Sequence, residues 1–232
     1  MVFAAGLGTR MRPITDRVPK PLVPIGGRTM LDHTLDRLAE SGVERAVVNV
    51  HYLADQIEAH LVGRRAPAII VSDERSLLLD QAGGIRRALP DLGPDPFLIC
   101  NTDALWIEGP RSNLRHLAEQ WDADAMDVLL LVACAATSIG VDWPGDFTMT
   151  AEGRLHKRAE RTVAPFVYAG IGIVKPALFA HLPEAPIRLA PFFFDAAQRG
   201  RLYGCRLEGT WLHVGTPDAI AEAEAAIVRS AQ

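Results

Sequence analysis

Short apolar runs of the kind that form buried strands alternate with amphipathic helical segments along the first half of the chain. The strand-like runs cover residues 2–5, 46–50, 68–71 and 97–100, and the helical segments cover residues 30–41 and 54–61. In the first helix, Leu31, Leu35 and Leu38 recur at the i, i+4, i+7 spacing of one helix face. We therefore predict an α/β fold with a mainly parallel sheet and helices on both faces. Its ligand sites should lie beyond the carboxyl ends of the strands.

The second half of the chain is less regular, and we expect it to form a smaller part of the same domain. It contains a helical segment at 112–121, strand-like runs at 128–132, 147–150, 166–174 and 202–207, a helical piece from Pro176, and an Ala/Glu-rich helix at 217–229. A Gly/Pro/Asp-rich patch covers residues 141–146. Because no repeat or linker divides the sequence, we predict one domain, residues 1–232, with halves near 1–110 and 111–232.

The composition is that of a folded globular chain, since 49% of the 232 residues are hydrophobic and 22% are charged. A formal net charge of -4 argues against nucleic-acid and membrane partners. The longest charge-free apolar run, residues 128–141, is too short for a membrane span, and arginines follow rather than precede the apolar residues 2–7. Three cysteines in apolar runs fit buried thiols better than disulfides. We expect a cytoplasmic protein that acts on small molecules.

A glycine-rich loop directly follows the first predicted strand. Gly6 and Gly8 would let backbone N–H groups approach a polyphosphate closely, and Arg10 and Lys20 would neutralise its charge. Residues 1–30 carry five cations and one anion, so positive charge is concentrated here. The loop is neither a P-loop nor a dinucleotide fingerprint, because it lacks a Gly-Lys-Ser/Thr end and a third glycine. A plain glycine turn with surface cations is the alternative.

Asp103, in the sequence Asn101-Thr102-Asp103, comes just after the strand-like run 97–100. The carboxyl end of a strand is where an α/β site would hold a hard cation. Mg²⁺ binds there through one or two carboxylates together with substrate phosphates. For a lone aspartate in this position, a turn or a helix cap is the alternative.

The segment AAGLGTRMRPIT, followed by VPKPLVPIGG, resembles the signature of the sugar-1-phosphate nucleotidylyltransferases, or nucleoside-diphosphate-sugar pyrophosphorylases. Further similarity extends over nearly the whole chain. The resemblance implies a Rossmann-like fold of GT-A type without a β-helix tail. It also implies a nucleoside triphosphate and a sugar 1-phosphate as substrates, and Mg²⁺ as cofactor, with Mn²⁺ as the alternative. The chain is most similar to short bacterial members of cell-wall sugar recycling, so UTP is the expected nucleotide.

The resemblance also implies roles for residues of the first half. In that family the glycine loop holds the triphosphate, and the matching positions are Ala5, Gly6, Gly8 and Thr9. Arg10 would polarise the leaving pyrophosphate, and Lys20 would contact the phosphates of the reacting pair. Asp103 would bind magnesium, and Asn101 would face the nucleotide. The predicted catalytic residues are therefore Arg10, Lys20 and Asp103.

Residues 79–85 resemble the family segment that closes over the base. Gln81 and Gly83 are the predicted nucleotide contacts in this segment, and Glu74, a few residues upstream, is predicted to lie near the base or ribose. The chain departs from its relatives here, because Asp80, Gln81 and Ala82 stand where they carry Glu, Thr and Gly. For Asp80, two interpretations stay open: an N-cap of a helix from Gly83 onward, and a direct ligand contact.

On the acceptor side, Glu160 and Arg161 match a Glu-Lys pair of the family, in which the Glu holds a sugar hydroxyl and the Lys holds its phosphate. Arg161 keeps the charge and offers a bidentate fork for phosphate. Gly170 matches the strand glycine on which the sugar ring lies, and Asp146 belongs to a Gly-Asp-Phe segment similar to that of the short bacterial members. A solvated charge cluster is the alternative for Glu160 and Arg161.

His213, in the motif GTWLHVGTP, stands where relatives carry an aspartate that is the second magnesium ligand. We predict His213 as a metal ligand, although imidazole suits Mn²⁺, Co²⁺ or Zn²⁺ better than Mg²⁺. A phosphate contact is the alternative. Two other functions stay open, a mannose-1-phosphate guanylyltransferase and a nucleotide-sugar-binding regulatory protein without catalysis. We expect a monomer or a small homo-oligomer.

Overall fold

The computed structural model describes residues 1–230, within which thirteen strands and six α-helices form. The strands are β1 (Val2–Phe3), β2 (Pro24–Ile25), β3 (Arg28–Thr29), β4 (Arg45–Val50), β5 (Ala68–Asp73), β6 (Phe97–Asn101), β7 (Ala104–Glu108), β8 (Val128–Cys134), β9 (Phe147–Met149), β10 (Leu155–Lys157), β11 (Phe166–Val174), β12 (Leu202–Arg206) and β13 (Gly209–His213). The helices are α1 (Met30–Glu40), α2 (Ala54–Leu61), α3 (Asp80–Leu92), α4 (Asn113–Glu119), α5 (Ala190–Gln198) and α6 (Pro217–Ser230).

One nine-stranded mixed sheet organises the chain. Its parallel part has the order β6-β1-β4-β5, and β11 pairs antiparallel with β6. Beyond β11, β8 pairs antiparallel with β11 and parallel with β12, while β9 and β10 extend the sheet from the start of β11. Both halves of the sequence therefore contribute to one sheet. The predicted single α/β domain is confirmed, with antiparallel pairings added through β11.

Helices cover both faces of the sheet, as predicted. Along β4, Ala46, Val48 and Val50 belong to the core on one face and Val47 to the core on the other, because successive strand residues point to opposite sides. Helices α1, α2 and α4 pack on the first face, and α3 and α5 pack on the second. A third, smaller core lies against α6, where Ala219, Ala223 and Ala226 are buried.

Several elements differ from their predictions. The helix predicted from Gly83 begins at Asp80, and the helical piece from Pro176 is a single 3-10 turn, with α5 starting only at Ala190. The sequence did not predict β10, the β2–β3 hairpin or the antiparallel ribbon of β7 and β13. These strands have five residues or fewer, and a pattern so short does not distinguish strand from loop.

The three cysteines, Cys100, Cys134 and Cys205, are free thiols, in agreement with the expectation that they form no disulfides. Cys100 and Cys205 are buried, and burial raises the pKa of each thiol to about 11. Among residues 1–230, no helix is long and apolar enough to cross a membrane.

Candidate active site

A cavity of about 480 Å³ lies beyond the carboxyl ends of β1, β4, β5 and β6, and we call it the main cavity because most of the predicted site residues line it. Parallel strands bring their carboxyl ends to one edge of a sheet, so segments distant in sequence meet here. The cavity is lined by most of the residues predicted for the nucleotide and for catalysis: Ala5, Gly6, Gly8, Thr9, Arg10, Lys20, Glu74, Gln81, Asn101 and Asp103.

The glycine loop after β1 forms one wall of the main cavity. Gly8 has a φ of 63°, a left-handed conformation that other residues rarely adopt, and the Thr15 hydroxyl donates to its carbonyl at 2.8 Å. A Cβ at Gly6 would have no atom of the described residues within 4 Å, so Gly6 borders open space. The loop thus has a fixed backbone and a bare surface that a polyphosphate can approach.

Lys20 and Asp103 form an ion pair at the floor of this cavity. The Lys20 ammonium donates to Asp103 Oδ2 at 2.6 Å, and the two side chains are 13% and 21% exposed. Burial alone would raise the pKa of Asp103. The charge and hydrogen bond of Lys20, with smaller effects of His213 and Arg10, outweigh burial and hold that pKa below its ordinary value. Asp103 is therefore an anion at neutral pH.

A second cavity of about 260 Å³ adjoins the first, and Arg10, Asn101 and Asp103 line both. Two residues predicted for the acceptor sugar, Asp146 and Gly170, line this second cavity. Gly170 has a φ of 82°, and a Cβ there would lie 2.6 Å from the Cβ of Ala104, so only glycine fits. The chain thus builds two neighbouring pockets with a carboxylate and an arginine between them.

His213, the last residue of β13, lies on the wall of the second cavity. Burial lowers its pKa, and although Asp103 raises it, Lys20 and Arg10 lower it further, so the pKa stays below the ordinary value and the ring is neutral at pH 7. A Cβ added at Gly215 would lie 2.7 Å from His213 Nε2 and 3.3 Å from Arg10 Nη1. The missing side chain at Gly215 leaves room for both groups beside the main cavity.

Asn49 is a buried site residue that the sequence analysis missed. Its Oδ1 accepts from the Ala4 N–H at 2.8 Å, and its Nδ2 donates to Glu74 Oε1 at 2.8 Å. Glu74 Oε2 accepts from the Leu79 N–H at 3.3 Å, and burial raises the pKa of Glu74. This network ties the start of the glycine loop to β4, to the end of β5 and to the start of α3. A single asparagine inside the apolar strand RAVVNV was the available signal.

The segment predicted to close over the base divides into two parts. Gln81 donates its side-chain N–H to Asn101 Oδ1 at 2.8 Å, and both line the main cavity. Asp80 also lines it, so its direct ligand contact stays a prediction. The N-cap interpretation is wrong, because α3 begins at Asp80 with Leu79 as its N-cap and no side-chain capping bond, and the Asp80 carboxylate accepts from the adjacent Gln81 N–H at 2.7 Å. Gly83 does not line it: a Cβ there would lie 2.2 Å from the Ala185 carbonyl oxygen, which gives this glycine a packing role.

Glu160 and Arg161 lie on an exposed turn and do not line the second cavity. Arg161 has a φ of 58°, and the turn is held by Arg158, which donates to the carbonyl oxygens of Ala159 and Thr162 at 3.3 and 3.0 Å. The predicted roles of Glu160 and Arg161 at the sugar thus stay predictions, and both residues lie outside the second cavity in this structure.

The sequence profile of the MobA-like NTP transferase domain matches residues 1–169. The chain belongs to this family. It is 44% identical to an N-acetylmuramate alpha-1-phosphate uridylyltransferase of Caulobacter vibrioides, over 99% of this chain and 97% of the relative. It is 27% identical to the mannose-1-phosphate guanylyltransferase catalytic subunit beta of Danio rerio, over 94% of this chain and 61% of that protein.

Among solved structures, the chain is similar to a UDP-glucose pyrophosphorylase complexed with UDP-glucose. The TM-score is 0.81, the sequence identity is 16%, and the match covers 99% of this chain and 97% of that one. At this identity the similarity shows the fold alone. It confirms the predicted Rossmann-like fold. The family profile and the 44% identical relative confirm the predicted enzyme class, a sugar-1-phosphate nucleotidylyltransferase.

The possible metal ligands at this site are few, so they suit a cation that is also coordinated by the phosphates of a substrate. No group of three or more His, Cys, Asp or Glu residues that could hold a metal occurs within residues 1–230. Asp103 offers hard carboxylate oxygens, and the neutral His213 lies on the same cavity wall. Because Mg²⁺ typically binds proteins through one or two carboxylates plus substrate phosphates, these residues fit a metal–triphosphate complex.

Proposed function

We propose that this protein transfers the uridylyl group of UTP to N-acetylmuramate 1-phosphate, giving UDP-N-acetylmuramate and pyrophosphate, in cell-wall sugar recycling. The choice of substrates is supported by the 44% identity to the Caulobacter vibrioides uridylyltransferase along nearly both full lengths. In this proposal residues 1–110 supply the nucleotide subsite and residues 111–232 most of the acceptor subsite.

The observation that carries the proposed chemistry is the Lys20–Asp103 pair, in which Lys20 lines the main cavity and Asp103 lines both cavities. A nucleotide in the main cavity and a sugar phosphate in the second would meet beside this pair, and Arg10 lines both spaces. Arg10 and Lys20 therefore place two positive charges beside the point where phosphate charge would accumulate. Such preorganised charge stabilises a phosphoryl-transfer transition state without reorganisation during the reaction.

The reaction we derive is one in-line displacement. An oxygen of the sugar phosphate attacks the α-phosphorus of UTP and forms a new P–O bond, while the bond to the pyrophosphate oxygen breaks. The attacking phosphate is already anionic at neutral pH, so no general base is required. Arg10 and Lys20 neutralise the triphosphate and the departing pyrophosphate, and the loop around Gly6 and Gly8 orients the chain of phosphates.

A divalent cation completes this scheme, with Mg²⁺ as the proposed ion and Mn²⁺ as its alternative. Asp103 and His213 are the residues that would hold it, and the ion would supply neutralisation of phosphate charge. A neutral imidazole in place of a carboxylate leaves fewer hard ligands, so we expect Mn²⁺ to support turnover at least as well as Mg²⁺.

The proposal is tested by measuring pyrophosphate release with UTP, GTP, dTTP and CTP, each paired with N-acetylmuramate, mannose and glucose 1-phosphates and with Mg²⁺ or Mn²⁺. We expect release with UTP and N-acetylmuramate 1-phosphate to exceed that of every other pair. Preference for GTP with mannose 1-phosphate would replace this substrate assignment with that of a guanylyltransferase. Absence of release for all pairs, with nucleotide sugar still bound in calorimetry, would favour a binding protein.

A further inference from the structure

Aromatic side chains build the wall of the second cavity. Trp143 and Trp211 both line it, with ring centroids 6.3 Å apart and planes at 84°. The His213 ring stacks on Trp211 at 5.4 Å and meets Trp143 edge-on at 5.3 Å. Trp211 is 3% exposed and donates its indole N–H to the Ala169 carbonyl at 3.0 Å, whereas Trp143 stays partly exposed at the cavity.

Trp143 lies in a loop, but its position is fixed by several contacts. Its indole N–H donates to Asp146 Oδ1 at 3.1 Å, and Asp146 Oδ2 accepts from the backbone N–H of Tyr168 at 2.9 Å. Asp146 thus joins the Trp143 loop to β11, and each of its carboxylate oxygens accepts one hydrogen bond. Arg158 donates to the Gly145 carbonyl at 3.0 Å and secures the same loop from its other side.

Gly145 shows how closely this loop is seated. It has a φ of 81°, and a Cβ there would lie 2.1 Å from the carbonyl oxygen of Ala164. The Ala164 N–H in turn donates to the Pro144 carbonyl at 2.8 Å. A partly exposed tryptophan on a loop anchored this firmly costs little ordering entropy when a ligand binds against it.

We propose that Trp143 is a specificity-determining residue for the acceptor, the platform against which the apolar C–H face of the pyranose ring lies. Asp146 is the positioning residue that holds this platform. The inference rests on the proposed function, because it takes the second cavity as the sugar subsite. It also gives Asp146 a supporting role, since one of its oxygens accepts from Trp143 and the other from the Tyr168 N–H.

The steady-state test compares Trp143→Ala, Trp143→Phe and the control Trp121→Phe, a tryptophan that lines neither cavity. For Trp143→Ala we expect KM for the sugar 1-phosphate to rise roughly 10- to 30-fold, as for aromatic anchors at binding sites, with KM for the nucleotide within about twofold. Trp143→Phe keeps a ring and should raise KM less than about fivefold. Unchanged KM for the sugar in Trp143→Ala, or equal rises for both substrates, would overturn the inference.

The positioning role of Asp146 is tested by a double-mutant cycle. Asp146→Asn should raise KM for the sugar 1-phosphate with little change in kcat, since its amide can satisfy only one of the two donors. In a Trp143→Ala background the same substitution should add less than about twofold, because the platform is already absent. Additive effects would show that Asp146 contacts the sugar independently of Trp143, and would refute its supporting role.

A binding measurement separates this inference from the proposed reaction. Tryptophan fluorescence is titrated with N-acetylmuramate, mannose and glucose 1-phosphates, with and without α,β-methylene UTP. We expect a saturable change that Trp143→Phe largely removes and Trp121→Phe preserves. If that signal appears while no pair gives pyrophosphate, the proposed reaction fails and the platform stands. If no sugar phosphate gives a Trp143-dependent signal, the platform is refuted whatever the activity.

Discussion

The two halves of the molecule hold their active-site residues in different ways. In the first half, the glycine loop follows β1 and Asp103 follows β6, so the side chains come from the carboxyl ends of adjacent parallel strands. In the second half, the cavity wall comes from the antiparallel strand β11, the last residue of the β7–β13 ribbon and the loop at 141–146. The topology of the sheet fixes the first set, whereas individual side-chain contacts fix the second.

Under the proposed function, the residues that serve the chemical step and those that select the acceptor therefore belong to differently built parts of the molecule. Asp103 comes just after β6, an interior strand of the sheet, and Lys20 pairs with it from a 3-10 turn at Lys20–Leu22. Trp143 and Asp146 are held by a loop whose contacts are local. We therefore expect substitutions in the first half to lower turnover, and substitutions in the second half to alter acceptor affinity or stability.

The largest expected effect is that of breaking the Lys20–Asp103 ion pair. Lys20→Ala or Asp103→Asn should lower kcat by about 10²- to 10³-fold, because the first removes a positive charge beside the reacting phosphates and the second removes the carboxylate that would hold the cation. Pyrophosphate release gives the rate, and thermal unfolding checks the fold. Lys157→Ala is the matched control, since that lysine lies 4.1 Å from the Phe194 ring centroid and lines neither cavity. Near-normal turnover in either site variant would remove that residue from the mechanism.

The buried Asn49 should matter both for stability and for the nucleotide. Asn49→Ala leaves the Ala4 N–H and the Glu74 carboxylate without their partner, so the free energy of unfolding should fall by about 3 kcal/mol. Because the glycine loop loses its anchor, KM for the nucleotide should also rise several-fold.

The second half of the chain offers a matched control for Asn49. Asn113 is equally buried, donates to Glu108 Oε1 at 2.7 Å and accepts from the Glu208 N–H at 2.7 Å, away from both cavities. Urea unfolding should show a comparable loss for Asn113→Ala, with nucleotide KM unchanged. A nucleotide KM that rises equally in both variants would mean that general destabilisation, not the loop anchor, explains the effect.

The second half has its own paired carboxylate, Asp127, which serves stability instead of chemistry. Its side chain is 12% exposed, and it accepts from Arg199 at 2.6 Å and lies 2.8 Å from Arg201 and 3.2 Å from Lys175. Burial raises the pKa of Asp127, but the hydrogen bonds from Arg201, Arg199 and Lys175 outweigh it and lower the pKa to about 2.

Because this pKa is lowered on folding, the stabilisation is complete above the unfolded value near 3.8 and is lost as pH falls from there toward 2. Asp127→Asn should reduce the free energy of unfolding at pH 7 by about 2 kcal/mol, and should flatten its decline below pH 4. Denaturant unfolding from pH 2 to 7 measures both effects. Asp195→Asn, a 62% exposed partner of Arg199, should change little. Parallel acid limbs for wild type and Asp127→Asn would contradict the assignment.

The smallest expected effect concerns the turn that the family resemblance assigns to the sugar. With Arg161 on an exposed turn, Arg161→Ala should change KM for the sugar 1-phosphate less than about threefold. Arg158→Ala, which releases the Gly145 carbonyl and with it the Trp143 loop, should raise that KM more. A tenfold rise in KM for the sugar 1-phosphate in Arg161→Ala would show that the turn approaches the acceptor when substrate binds.

The sequence predicted best the strands with a clear local pattern and the site residues at the ends of those strands. Residues 166–174 are a strand at the predicted bounds, and Asp103 lies at the carboxyl end of the strand predicted at 97–100, where a site residue was expected. The Asn49–Glu74 contact was not predicted, since it depends on the register between β1, β4 and β5. The bulge in β11 between Tyr168 and Gly172 likewise depends on pairing with β8, which no local pattern encodes.

Strand β6 lies between β1 and β11, and this order has a consequence during synthesis. The residues of β6 are complete at Asn101, but its second neighbour is complete only at Val174. At about 5–20 residues per second, the growing chain carries an open apolar edge for roughly 4–15 s. Such an edge is a template for pairing with other chains. β11, which lines the proposed acceptor cavity, is thus also the strand that covers this edge of β6 once residues 166–174 have been made.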